Sequence, residues 1–137
     1  MPQPILGPAG VTYLTPPAVE TYTKVIKLDT SAGDATGFQA CVLPKGAIVI
    51  GAYVIAGGAN TTQTISVGIT NGGAEFISAY APNSTGYDTV GAAAGTYIKA
   101  LTAMTADTPV YAKASAALTS ACIVKLEYYF PQSGMTW

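Results

Sequence analysis

From Thr21 onward the chain never runs far without a break. Glycine, proline and small polar residues interrupt it at "SAGDATG" (31–37), Pro44–Gly46, "GGANTT" (57–62), "NGG" (71–73), "PNSTGYDTVGAAAG" (82–95) and "ALT" (117–119). The pieces left between these breaks suit strands of about five or six residues better than helices of about eleven. "TISVGIT" (64–70) alternates most cleanly, with Ile65, Val67 and Ile69 on one face and threonine, serine and glycine on the other. "TYTKVIKL" (21–28) alternates imperfectly, as a strand near an edge does, whereas "AIVIGAYVI" (47–55) is apolar on both faces and reads as a central buried strand.

"FQACVL" (38–43) sets Phe38, Ala40 and Val42 against Gln39, Cys41 and Leu43, and "EFISAY" (75–80) returns from the "NGG" turn as the partner of 64–70 in a hairpin. "TYIKALTAM" (96–104) also fits one helical face through Tyr97, Leu101 and Met104, but its threonines and preceding glycine favour a strand. "TPVYAKASA" and "SACIVKLEYYF" are expected to close the fold as a hairpin, and 82–95 to be an exposed connection. Eight candidate strands and no long helix predict an all-β fold, an antiparallel two-sheet β-sandwich of jelly-roll type; another Greek-key order would use the same strands.

At 137 residues the chain suits one domain. Half of its residues are hydrophobic and 9% are charged, well below the usual quarter, yet no apolar run approaches the ~20 residues of a membrane span. So little charge predicts that part of the surface is covered by a partner. All six basic residues are lysine and the net charge is −1, which leaves no basic stripe for nucleic acid. Cys41 and Cys122 lie in apolar runs and are expected to be reduced, buried thiols. The first ten residues lack the basic start and apolar stretch of a secretory signal, so synthesis and first folding are expected in the cytoplasm.

Residues 1–20 hold five of the nine prolines and predict an extended arm rather than a helix or central strand. Ile5, Leu6, Val11, Tyr13 and Leu14 are too apolar for a solvated linker, so the arm lies either on its own domain or on a neighbour. The domain is expected at 21–131, followed by a short tail (132–137) whose Trp137 is a fold clamp or a partner contact.

A reaction centre is hard to assemble from these residues. Without histidine there is no Ser-His or Cys-His pair, and the commonest general acid-base residue and metal ligand is absent. Asp29 and Asp34 flank "TSAG", where loop capping explains them better than calcium, and neither "GAAAG" nor "AGGAN" has a phosphate-binding context. No cofactor or metal site is expected. Tyr53, Tyr80, Tyr87, Tyr97, Tyr111, Tyr128, Tyr129 and Trp137 offer a sugar-stacking platform or a protein interface, with packing at the core's edge the ordinary role for most. Tyr87 and Trp137, in a loop and a tail, are the expected exceptions.

The succession "FQACVLPKGAIVIGAYVIAGG", "TISVGITNGGAEFISA" and "TPVYAKASAALTSACIVKLEYYFP" resembles small tailed-bacteriophage virion proteins, particularly capsid decoration or cement proteins, over about residues 22–131. The resemblance implies a β-sandwich bound to the outer surface of an assembled capsid, often as a homotrimer, with the major capsid protein as its partner and no catalytic residues. A tail- or head-fibre module binding host carbohydrate through loop 82–95 is the alternative. The partner-binding residues expected on either reading of the termini are Ile5, Leu6, Val11, Tyr13, Leu14, Tyr87 and Trp137.

Overall fold

The structure is a computed structural model that describes residues 20–60 and 62–131. Ile5, Leu6, Val11, Tyr13, Leu14 and Trp137, and with them most of the arm and the tail, lie outside the described residues. The strands are β1 (Thr21–Leu28), β2 (Phe38–Leu43), β3 (Ile48–Ala56), β4 (Ile65–Gly68), β5 (Ile77–Tyr80), β6 (Gly86–Thr89), β7 (Thr108–Ala114) and β8 (Cys122–Tyr129). They form two four-stranded antiparallel sheets, ordered β1-β8-β3-β6 and β2-β7-β4-β5. The pairs β1–β8, β2–β7, β3–β6 and β4–β5 nest one inside the next. The chain is thus one long ribbon folded at β4–β5 and rolled up, which makes the sandwich a jelly roll.

Alternation fills the space between the sheets. Ile26, Leu28, Val54, Val124 and Leu126 point inward from one sheet, and Leu43, Ile65, Val67, Ile77 and Val110 from the other, around the fully buried Phe76. Each such side chain contributes on the order of 1.5–3 kcal/mol of burial, an upper figure because unfolded chains already hide some surface. One end of the sandwich is closed by Tyr22, Tyr128 and Phe130, whose ring centroids lie 5.6–5.8 Å apart. Elsewhere the buried Asn60 acts as a polar staple. Its Nδ2 donates to the Ser120 carbonyl at 3.1 Å, its Oδ1 accepts from the Ser120 N–H at 2.9 Å, and its own N–H donates to the Pro82 carbonyl at 2.9 Å.

Four expectations need correction. β7 and β8 are not a hairpin, because they sit in different sheets and the chain crosses the sandwich between them. The connection at 82–95 contains β6, a four-residue edge strand whose glycine and aspartate hide it among turn residues. Residues 96–104 begin with a single helical turn, α1 (Thr96–Lys99), and rejoin the sheet only through the Ile48–Ala103 bridge. The count of eight strands therefore holds because β6 takes the place of the strand expected at 96–104. Finally, a bulge between Gln39 and Cys41 switches the alternation of β2, so Leu43 is buried and Val42 exposed.

The α1 turn is seated by backbone. The Gly95 N–H donates to the Phe76 carbonyl and the Tyr97 N–H to the Glu75 carbonyl, both at 2.9 Å, and the Tyr97 ring meets Phe76 edge-on at 5.8 Å. A Cβ on Gly95 would stand 2.2 Å from the Glu75 carbonyl oxygen. Gly95→Ala is therefore expected to cost about 2–3 kcal/mol, because rigid backbone rather than a flexible side chain must give way. Urea unfolding should show the loss as a lower midpoint with an unchanged m-value.

Candidate functional site

The outer face of the β1-β8-β3-β6 sheet is only partly polar. Register places Lys27, Ile123, Ile55 and Tyr87 in one row across the four strands, and Val25, Lys125, Tyr53 and Thr89 in the next. Val25 is 61% exposed and Tyr87 57%, Ile123 is also exposed, and Tyr53 and Ile55 are half-buried. β3 was expected to be buried on both faces; Ile48 and Val49 are both buried where it begins, but from Ala52 to Ala56 only alternate side chains are. Its other face is this surface.

The two tyrosines form a platform. Tyr53 stacks on Tyr87 with centroids 5.4 Å apart and planes at 20°, and the Lys125 ammonium stands 5.8 Å from the centre of the Tyr87 ring. Gly51 lets the Tyr53 ring lie along the strand, since a Cβ there would meet the phenol oxygen at 2.8 Å. Burial raises the Tyr53 pKa, with Glu127 adding to the effect, so its hydroxyl keeps its proton as a donor. Tyr87 is thus an exposed aromatic as expected, but it is carried by a strand rather than a loop.

Most other tyrosines pack into the fold. Tyr128 and Tyr129 are buried, Tyr97 lies against Phe76, and Tyr80 and Tyr111 are half-buried. Cys122 is buried and Cys41 half-buried; both are free, and burial raises the pKa of each, which favours the thiol form.

The carboxylates serve as pins. Asp34 accepts from the Asp29 N–H, Asp107 from the Lys45 N–H at 2.9 Å, and Glu75 from the Ile69 N–H at 2.7 Å. Among the described residues no three metal-ligating side chains converge. A cleft of about 120 Å³ lined by Ile69, Tyr97, Thr102, Met104 and Thr108 holds no carboxylate and is small beside the ~300 Å³ of a ligand pocket.

A second exposed apolar point lies beside α1. Leu101 ends the turn at φ +51°, a conformation usually left to glycine, with the Thr102 N–H donating to the Tyr97 carbonyl at 3.0 Å. Its side chain is nevertheless 52% exposed. The expected candidates did not include Val25, Ile55, Leu101 or Ile123 as contact residues, and Tyr53 stood only among the tyrosines expected to pack at the core's edge. The available signal was the apolar second face of β3 and of Ile123 within β8, both of which lie opposite the core-facing set.

No protein-family model matches the chain, and no curated protein does. Three solved phage capsids contain chains of similar fold. A chain of the cyanophage Pam1 capsid asymmetric unit superposes with a TM-score of 0.59 at 20% identity, over 94% of this chain and 100% of that one. A chain of the Ralstonia phage GP4 capsid gives 0.61 at 16% identity, over 88% and 91%. One from the acidic stable capsid of Helicobacter pylori bacteriophage KHP30 gives 0.52 at 16% identity, over 84% and 92%. At these identities the likeness is one of fold.

Across the opposite edge, β5 is tied to β6 by the Tyr80 hydroxyl, which donates to Asp88 Oδ2 at 2.8 Å. Burial first, and then Asp88, push the Tyr80 pKa from its ordinary 10 up to about 12. A raised pKa favours the protonated folded state, so this tie contributes fully below pH 10 and is lost as pH rises through 12. Tyr80→Phe should cost about 1 kcal/mol at neutral pH. The stability gap between it and the wild type should narrow from pH 10 to 12, as denaturant midpoints at pH 7, 10 and 12 would reveal.

Proposed function

We propose that this chain is a structural virion protein, a decoration or cement protein that binds the outside of a phage head and strengthens contacts between capsomers. The observation that carries the reading is the end-to-end fold match with the Pam1 capsid chain, supported by two further capsid chains. The surface fits the role: it offers a broad, weakly charged sheet face rather than a pocket. A protein that binds an assembled shell more tightly than its loosened parts stabilises the shell by mass action, by about 2.7 kcal/mol per site at a hundred times Kd. No catalytic group is needed. The major capsid protein is the partner, and the protein itself is a homotrimer, since cyclic symmetry lets one apolar surface be shared among subunits.

Two measurements test this. Quantitative mass spectrometry of purified virions should count the protein in hundreds of copies, and particles lacking it should open at a lower temperature and recover when it is added back. A few copies confined to a tail tip or fibre would refute the reading. Multi-angle light scattering on dilute purified protein should give the trimer mass; a persistent monomer, alone and on shells, would remove the trimer.

A further inference from the structure

The face built from Val25, Tyr53, Ile55, Tyr87, Ile123 and Lys125 has the chemistry to receive a proline-rich segment, and the sequence of this chain contains one. We infer that the extended arm, residues 1–19, of a second copy of this protein docks on it.

Three features of the sequence and the sheet support the pairing. The arm contains five prolines and no Asp, Glu, Lys or Arg side chain. Extended proline-rich backbone presents carbonyl acceptors with no internal hydrogen bonds, and such segments are held by aromatic-lined surfaces. The face supplies the complement: two stacked phenol rings, flanking isoleucines, and donors in the Tyr53 and Tyr87 hydroxyls and the Lys125 ammonium. Neither phenol has a hydrogen-bond partner among the described residues. Ile5, Leu6, Val11, Tyr13 and Leu14 offer the apolar side chains such a face would cover.

Reach and direction select the neighbour as the source. Residues 1–19 in a polyproline conformation, at about 3.1 Å per residue, extend to roughly 60 Å, several times the width of a four-stranded sheet. They join β1 at Thr21, on the free edge of the same sheet. To fold back onto its own face the chain must reverse close to that edge, where it carries Thr15-Pro16-Pro17. A residue before proline is held in the extended region, and both Thr15 and Pro16 are so placed. That restriction disfavours a tight reversal at these positions and favours the face of a neighbour.

The test uses the full chain. Self-association is followed by sedimentation velocity, and folding by thermal melting, for wild type, Tyr87→Ala, Leu6→Asp and the double variant. Docking in trans predicts that each single variant weakens self-association at least tenfold with an unchanged melting temperature, and that the double variant is little worse than either. A photo-crosslinking residue at position 6, in a mixture of light and heavy isotope-labelled protein, should yield light–heavy crosslinks to the peptides carrying Tyr53, Tyr87 or Ile123. Crosslinks confined to one copy, with lowered melting temperatures, would mean that the arm covers its own sheet and would overturn the inference. Unchanged self-association with weakened binding to phage shells would overturn it too, by giving the arm to the capsid, and would leave the proposed function standing.

Discussion

The register of β8 between β1 and β3 is the constraint on which the rest of the sandwich depends. Every inward side chain of β8 has a partner on both sides: Val124 lies between Ile26 and Val54, and Leu126 between Lys24 and Ala52. Because side chains alternate with a period of two, a slip of one residue would turn Val124 and Leu126 outward and bring Ile123 and Lys125 into the core. The same register also builds the outer face, since it fixes Ile123 beside Ile55 and Lys125 beside Tyr53. Core and candidate contact surface are therefore two readings of one ladder. The β1–β8 partners are roughly a hundred residues apart in sequence, so closing this ladder carries a large loop-closure cost that its contacts must offset.

Scarcity of charge links the inside to the outside. The chain has seven carboxylates, and several are occupied by its own turns and edges: Asp34, Glu75 and Asp107 accept backbone N–H groups, and Asp88 accepts the Tyr80 hydroxyl. Such bonds hold breaks that separate short strands, and they suit a fold with many turns. They also leave few charges for the broad faces. On the β1-β8-β3-β6 face the lysines stand among apolar and aromatic side chains, and Lys125 is turned over the Tyr87 ring. A cation over an aromatic face covers apolar surface while keeping its charge near water. That is a surface suited to both solubility and contact.

The sequence makes most of the scaffold readable because its signals are local. Thr21–Leu28, Phe38–Leu43, Ile48–Ala56 and Cys122–Tyr129 are long enough for alternation to register, and Pro44–Gly46 between β2 and β3 and Asn71–Gly73 between β4 and β5 mark turns plainly. The misread parts are those decided at a distance. Nothing in "TPVYAKASA" or "SACIVKLEYYF" says that their connection crosses between sheets, because that depends on β2 and β1 claiming the two strands as partners. β6 is a strand because β3 offers it a free edge, despite its weak strand composition. α1 is a turn because Gly95 and Tyr97 find the carbonyls of Phe76 and Glu75. Of the candidate contact residues, Tyr87 was visible as an aromatic amid small polar residues, and Val25 and Ile123 fell on the second faces of their strands, whereas Ile55 read as core because its strand is apolar on both faces.

This division also bears on how little sequence the fold needs. Positions such as Val54, Val67, Val110 and Val124 ask only for an apolar side chain of suitable volume, so many sequences can fill the same roll. Fold matches at 16–20% identity over most of each chain are what such tolerance produces. Shape is therefore the common property of these proteins, and the choice of partner has to be made by residues the core leaves free. The outward positions of β1, β8, β3 and β6 are among those residues, since a side chain there can change without disturbing the ladder that presents it. A stacked Tyr53–Tyr87 pair exposed on such a face contributes little to packing between the sheets, yet supplies rigid, amphipathic area with few rotamers to lose on contact.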